Sequence, residues 1–406
     1  MAVGSGNLPE LHDVEGFSLG IASAGIKTPG RRDLVVMEIC AGASVAGVFT
    51  QNAFCAAPVQ VARRHLTTDT PRYLLVNTGN ANAGTGAQGV TDSEQCCAFL
   101  AEQAGVSPEQ VLPFSTGVIG ELLNVSKIAS AIPQAIVDLK PDNWVAAAEG
   151  IMTTDTRPKA ASRQFELAGV TVTVTGIAKG AGMIKPNMAT MLGYIATDAA
   201  VNQALLNKIV IEASNLSFNR ITIDGDTSTN DACILVATGK AALAPLNSEE
   251  DALYQPLLEA ISTVFIELAQ GLVRDGEGAS KFVTVKVVGG KTEQETLAVA
   301  FTVAESPLVK TALFASDPNW GRLLAAIGRA GVENLDVNRV NVQLNEVLIA
   351  EHGCRAASYT EEQGQAVMDQ EEITITIDLA RGEQHSTVWT TDLSYDYVRI
   401  NADYRS

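Results

Sequence analysis

The residues best suited to do chemistry form one run near the middle of the chain, Lys179-Gly180-Ala181-Gly182-Met183-Ile184-Lys185-Pro186-Asn187-Met188-Ala189-Thr190-Met191-Leu192. It delivers a threonine after a small residue, at the entrance to an apolar strand. A threonine hydroxyl is a poor nucleophile unless a base sits beside it. One way to supply that base is to cut the chain just before the threonine. Its own freed α-amine, with a reference pKa of roughly 7.7–8, then takes the proton. Glycine's freedom in φ also explains such a run as a plain loop, and the pattern by itself favours the loop.

Other candidate motifs are weaker. Gly84-Thr85-Gly86-Ala87-Gln88-Gly89 has GxGxxG spacing, but Asn77–Ala83 separates it from the strand ending near Val76, which argues against a dinucleotide turn. Gly290-Lys291-Thr292 lacks the first glycine of a P-loop, because Val285 stands there. Asp224-Gly225-Asp226-Thr227-Ser228-Thr229-Asn230-Asp231 has calcium-loop flavour, yet Thr229 and Leu235 occupy the positions that need Gly and Glu. That run reads either as a capped turn after Ile221–Ile223 or as a polar network near Thr190. The four histidines (His12, His65, His352, His385) lie in no nucleophile-elbow or HExxH context, which disfavours Ser–His and zinc hydrolases.

The elements that must position the run are mixed α and β. Leu34–Cys40, Ala46–Thr50 and Tyr73–Val76 read as strands, and the alternation of Val170–Thr175 is that of a half-buried strand leading into the glycines. Met191–Thr197 resumes as a strand. Thr91-Asp92-Ser93-Glu94 reads as a capping box opening a helix to about Ala104. Further helices are expected at Val125–Leu139, Asn202–Ser214 and Ser248–Gly271. Further strands are expected at Cys233–Thr238, Phe282–Val288, Leu297–Val303, Val340–Leu348 and Glu372–Ile377. No linker divides the chain, and the strands are too scattered for a regular βαβ array.

With 406 residues, 46% hydrophobic and 18% charged, the chain has the make-up of a globular protein able to bury large cores. A net charge of −18 disfavours nucleic acid and anionic membranes. No apolar run approaches the roughly 18–20 residues of a membrane span, and Met1–Phe17 lacks a basic export-type segment. The six cysteines show no repeated CxxC spacing and read as reduced thiols of a cytoplasmic protein.

Six segments spread along the chain together resemble the ornithine acetyltransferase (glutamate N-acetyltransferase) family of arginine biosynthesis. They are Asn77–Ala83, Ser115–Gly120, Ile151–Thr156, Lys179–Leu192, Arg274–Lys281 and Ile400–Ser406. The resemblance implies self-cleavage between Ala189 and Thr190, giving chains 1–189 and 190–406 that share one layered α-β-β-α core of the N-terminal-nucleophile kind. It makes Thr190 the nucleophile, and Thr116 and Gly117 the oxyanion hole. Thr153, Lys179, Thr190, Glu277, Asn401 and Ser406 become substrate-binding positions, with a one-residue ambiguity between Thr153 and Thr154. It implies ping-pong transfer of acetyl from N-acetylornithine to glutamate, no metal or organic cofactor, and an α2β2 assembly. Whether acetyl-CoA is a second donor stays open. Gly84, Ala181 and Lys185 depart from the family's frequent Cys, Ser and neutral residue. Rival readings are an N-terminal-nucleophile amidohydrolase or aminopeptidase, and a non-catalytic α/β protein that binds amino acids.

Overall fold

The computed structural model describes residues 2–185 and 191–403; Ala189, Thr190 and Ser406 lie outside the described residues. The first part of the chain runs β1 (Phe17–Ala22), β2 (Leu34–Ile39), β3 (Ser44–Phe49), α1 (Ala57–Thr68), β4 (Tyr73–Asn80), α2 (Gly86–Ala104), β5 (Val111–Val118), α3 (Val125–Val137), α4 (Trp144–Gly150), β6 (Lys159–Leu167) and β7 (Val170–Lys179). It continues through β8 (Leu192–Thr197), α5 (Gln203–Leu216), β9 (Ala232–Ala237) and α6 (Tyr254–Arg274). These strands form two sheets, β1-β2-β4-β5 and β3-β9-β8-β7-β6.

Alternation along each strand decides the layers. In β2, Val35, Met37 and Ile39 face the second sheet, where Ile177, Tyr194, Ile234 and Val236 meet them. Leu34 and Val36 point the other way, onto Cys96 and Leu100 of α2 and Ile128 and Ile132 of α3. The second sheet likewise turns Val172, Val174, Ile195 and Leu235 outward against Ile209 of α5 and Leu257, Ile261 and Leu268 of α6. Strands buried on both faces need apolar residues at nearly every position, which is why β8 and β9 read as continuous apolar runs. The result is the expected α-β-β-α stack. By length and composition α6 could cross a membrane, but its apolar stripe is spent on this stack.

A second sheet-and-helix unit follows: β10 (Phe282–Gly290), α7 (Glu293–Ala304), α8 (Pro307–Phe314), α9 (Trp320–Gly328), β11 (Asn341–Leu344), β12 (Val347–Glu351), β13 (Cys354–Arg355), α10 (Glu361–Met368), β14 (Glu372–Asp378), β15 (Gln384–Thr391) and α11 (Tyr395–Ala402). Its strand order is β13-β12-β11-β14-β10-β15, and it has its own core around Val285, Val299, Ile349 and Ile375. Strand β15 ties it to the first unit, because Trp389 pairs with Ile221 and packs on that core.

Several expected elements differ. Leu297–Val303 is helical within α7: Thr292 accepts from the Glu295 N–H at 3.1 Å as its N-cap, and Thr296, Val299, Ala300 and Val303 are buried at helical spacing. Helix α2 begins at Gly86, so the Thr91–Glu94 box is helix interior, with Thr91 bonding back to the Ala87 carbonyl. Val340–Leu348 splits into β11 and β12 at Asn345, whose φ is 48°. Helix α6 starts at Tyr254 rather than Ser248. Ile221–Ile223 forms no named strand.

Candidate active site

The site grows from the parallel pair β4 and β5. Their ends stay in register at Thr78 with Thr116 and Gly79 with Gly117, then slip at Asn80. Gly117 has φ 135°, and a Cβ there would lie 2.3 Å from the Gly79 carbonyl carbon. Two backbones this close, in that conformation, admit only glycine. Just before it, the half-buried Thr116 hydroxyl meets Lys179 Nζ at 3.1 Å. An ammonium can only donate, so the hydroxyl accepts from it and keeps its own hydrogen for another acceptor.

Lys179 ends β7 and is 9% exposed. Burial lowers its pKa, although the charges of Asp155, Asp231 and Glu277 work against that loss and Lys159 adds to it. Beneath it lies a buried ion cluster. Asp155 accepts from Lys159, from the Gly180 N–H at 2.8 Å and from the Thr153 N–H at 2.9 Å. Lys159 also pairs with Asp275, which accepts from the Thr156 N–H at 3.0 Å. Burial alone would raise the Asp155 pKa, but Lys159 and Lys179 hold its carboxyl well below the usual carboxylate range. This cluster fixes Thr153, the start of the glycine-rich run and the end of α6 relative to one another.

Past Asp275 the chain brings Glu277 against that run. The Glu277 N–H donates to the Ala181 carbonyl at 2.8 Å, and a Cβ on Gly182 would strike the Glu277 carboxylate at 2.5 Å. Helix α11 then closes the other side. Asn401 Nδ2 donates to Glu277 Oε2 at 2.8 Å. Asp224 joins the walls by accepting from the Met183 and Ile184 N–H groups at 2.6 and 2.9 Å and from the Tyr397 hydroxyl at 3.3 Å.

These elements surround one cavity of about 390 Å³, within the range of small-molecule sites. Its lining includes Thr116, Gly117, Thr153, Thr154, Lys179, Glu277 and Asn401. Six expected residues, together with Thr154 as the alternative to Thr153, therefore meet in space although up to 285 positions, between Thr116 and Asn401, separate them in sequence. The cavity also admits Lys27, Arg31, Ser228, Thr229 and Asn230, to which sequence reasoning assigned no roles. The polar run Asp224–Asp231 was the signal for the last three; nothing local marks Lys27 or Arg31. Lys185 is engaged elsewhere, donating to Glu305 at 2.9 Å. His65 is buried, with Nδ1 2.8 Å from the Val111 carbonyl, a structural contact.

Known proteins supply an independent reading. Residues 18–406 match the ArgJ family. The arginine biosynthesis bifunctional protein ArgJ of Pseudomonas fluorescens is 63% identical over 406 residues, covering 100% of both chains. The crystal structure of the protein of that name from Bacillus halodurans is 35% identical, with a TM-score of 0.50, covering 52% of this chain and 97% of its own. The structure of ornithine acetyltransferase complexed with ornithine from Mycobacterium tuberculosis is 31% identical, with a TM-score of 0.39, covering 43% and 94%. Similar in sequence from end to end and sharing the fold, the chain belongs to the ArgJ family.

Proposed function

We propose that this acetyltransferase of arginine biosynthesis moves acetyl from N2-acetylornithine to glutamate through an ester on Thr190, exposed by self-cleavage after Ala189. The observation that carries the reading is the cavity of about 390 Å³ whose walls bring together Thr116 and Gly117, the buried Lys179 and the Glu277 carboxylate. Both substrates carry an α-carboxylate, which Lys179 would hold as a point charge. Glu277 would face the side-chain ammonium of ornithine. Thr116 and Gly117 would stabilise the oxyanion that forms when acetyl enters or leaves Thr190.

In the first half-reaction the Thr190 Oγ attacks the acetyl carbonyl while its α-amine takes the proton, and ornithine leaves. In the second, the glutamate amine attacks the ester and carries acetyl away. The hydrogen bond from Asn401 to Glu277 supports a C-terminal segment that closes the site, and to Ser406 we assign a substrate-binding role. The reaction as proposed needs no metal or organic cofactor. The word bifunctional in the relatives' names supports acetyl-CoA as a second donor. A Bacillus chain that is nearly all matched by about half of this one supports a molecule made of two pieces, which we propose assemble as α2β2 in the cytoplasm.

The test is an exchange assay with N-acetylornithine carrying labelled acetyl. Label should pass to glutamate with parallel double-reciprocal lines. Label that appears only as acetate, regardless of glutamate, would make the protein an amidohydrolase.

A further inference from the structure

The proposed exchange sets the cavity a problem of charge. Both substrates share an α-carboxylate and an α-nitrogen, but ornithine ends in an ammonium and glutamate in a second carboxylate. Lys179 and Glu277 answer the first case. In the second, Glu277 would repel the γ-carboxylate, and the Lys179 ammonium is already engaged by the α-carboxylate. Glutamate's far end needs a further cation.

Two cations of the cavity lining have no role yet, Lys27 and Arg31. They sit on the loop between β1 and β2, and that loop is firmly held. Its anchor is Asp33, 2% exposed, whose carboxylate accepts from the Ala24, Gly25 and Ile26 N–H groups at 2.7, 3.2 and 2.6 Å. Lys127 Nζ, on α3, donates to the Gly25 and Ile26 carbonyls at 2.5 and 3.3 Å. Lys27 lies over the end of β4, where a Cβ on Gly79 would come 3.2 Å from the Lys27 Cβ. Arg31 is braced by one Nη, which donates to the Met152 carbonyl beside Thr153. A guanidinium has several N–H donors in a fixed fork, so the remainder can serve a bound anion. Among the described residues neither Lys27 nor Arg31 pairs with a carboxylate. Glu277 stands elsewhere, against Gly182 of the glycine-rich run.

We propose that Lys27 and Arg31 form the subsite for the side-chain carboxylate of glutamate, and so decide which acceptor receives acetyl. The arginine fork matches the plane of a carboxylate, and the lysine adds a point charge. One cavity then takes an ammonium-ended and a carboxylate-ended side chain in turn, each toward its own counter-charge. Neither residue makes or breaks a bond; both act on binding. The inference rests on the exchange reading above, and its test separates the two.

Glutamate and isotopically labelled ornithine are made to compete for acetyl from N-acetylornithine, and the two products are resolved by mass at early times. Lys27→Met and Arg31→Met should each lower the preference for glutamate about tenfold or more, the typical worth of a charge-assisted hydrogen bond. Lys27→Arg should restore most of it. Offered glutamate against glutamine, whose side chain is neutral, the two Met variants should lose preference likewise. Lys27 is exposed and its side chain makes no hydrogen bond among the described residues, so Lys27→Met decides if Arg31→Met does not fold. An unchanged preference overturns the assignment, even where total transfer falls, since the cations would then act on what both acceptors share. A loss that appears only with acetyl-CoA as donor would assign them to its phosphates, and overturns it too. Wild-type protein that passes acetyl to neither amino acid overturns the exchange reading itself.

Discussion

Replacing Thr116 with valine removes one hydroxyl and almost nothing else. Valine keeps the branched shape that suits strand β5, where Thr116 is half-buried opposite Thr78. Two losses follow from the geometry. The first is the hydroxyl hydrogen left over after Thr116 accepts from Lys179 Nζ at 3.1 Å. If it stabilises the oxyanion, losing it should lower kcat by about 10²–10³, or roughly 2.7–4 kcal/mol of transition-state stabilisation. The second is the acceptor for a buried ammonium, a contact typically worth about 1.5–3 kcal/mol. Without it the charged form of Lys179 is less favoured, its pKa falls further, and KM should rise for both substrates.

The oxyanion forms in both half-reactions, so both should slow together. The assay follows the burst of ornithine released from N-acetylornithine, and separately the discharge of acetyl by glutamate. Thr116→Ser, which restores the hydroxyl, should recover most of the rate. A Thr116→Val enzyme within tenfold of wild type in either half-reaction would refute the oxyanion role.

Other consequences are also measurable. Gly117→Ala should cost about 2 kcal/mol or more, read as a lowered Tm, because its Cβ would meet the Gly79 backbone at 2.3 Å in a conformation that disfavours side chains. Lys159→Met should cost about 3–5 kcal/mol in denaturant melts, since it leaves two buried carboxylates without their shared cation. The Asp155 pKa is depressed in the fold, so its stabilisation is present above the unfolded value of roughly 3.9 and is lost as pH falls through the folded value. Acid unfolding of Lys159→Met should accordingly begin at higher pH than in wild type. Glu277→Gln should raise KM for N-acetylornithine more than tenfold and change KM for glutamate much less, as judged from initial rates with each substrate varied.

How much of this was legible in the sequence depends on whether the signal is local. The two faces of β2 and the continuous apolar runs of β8 and β9 follow from side-chain alternation and double burial, and those elements stand where expected. Leu297–Val303 misled because its Val, Phe and Thr residues suit a strand, while the Thr292 cap and burial on one helical face decide for a helix. The glycine at 117 is explained only by the Gly79 backbone that approaches it from β4. Lys27 and Arg31 reach the cavity from a loop with no pattern of its own, so only the fold discloses them. The buried Asp155–Lys159–Asp275 cluster is likewise invisible in sequence, since charged residues at these spacings are ordinarily solvated.

The central claim is that Thr190 becomes a new N-terminus and carries the acetyl group. Intact mass after mixing the protein with N-acetylornithine, in the absence of glutamate, tests it most directly. The account predicts two fragments meeting at Ala189 and Thr190, with one acetyl mass on the fragment that begins at Thr190 and its loss when glutamate is added. Thr190→Ala should give a single full-length species that takes up no acetyl. A wild-type chain that stays uncut while still transferring acetyl, or an acetyl group held on the first fragment, would contradict it.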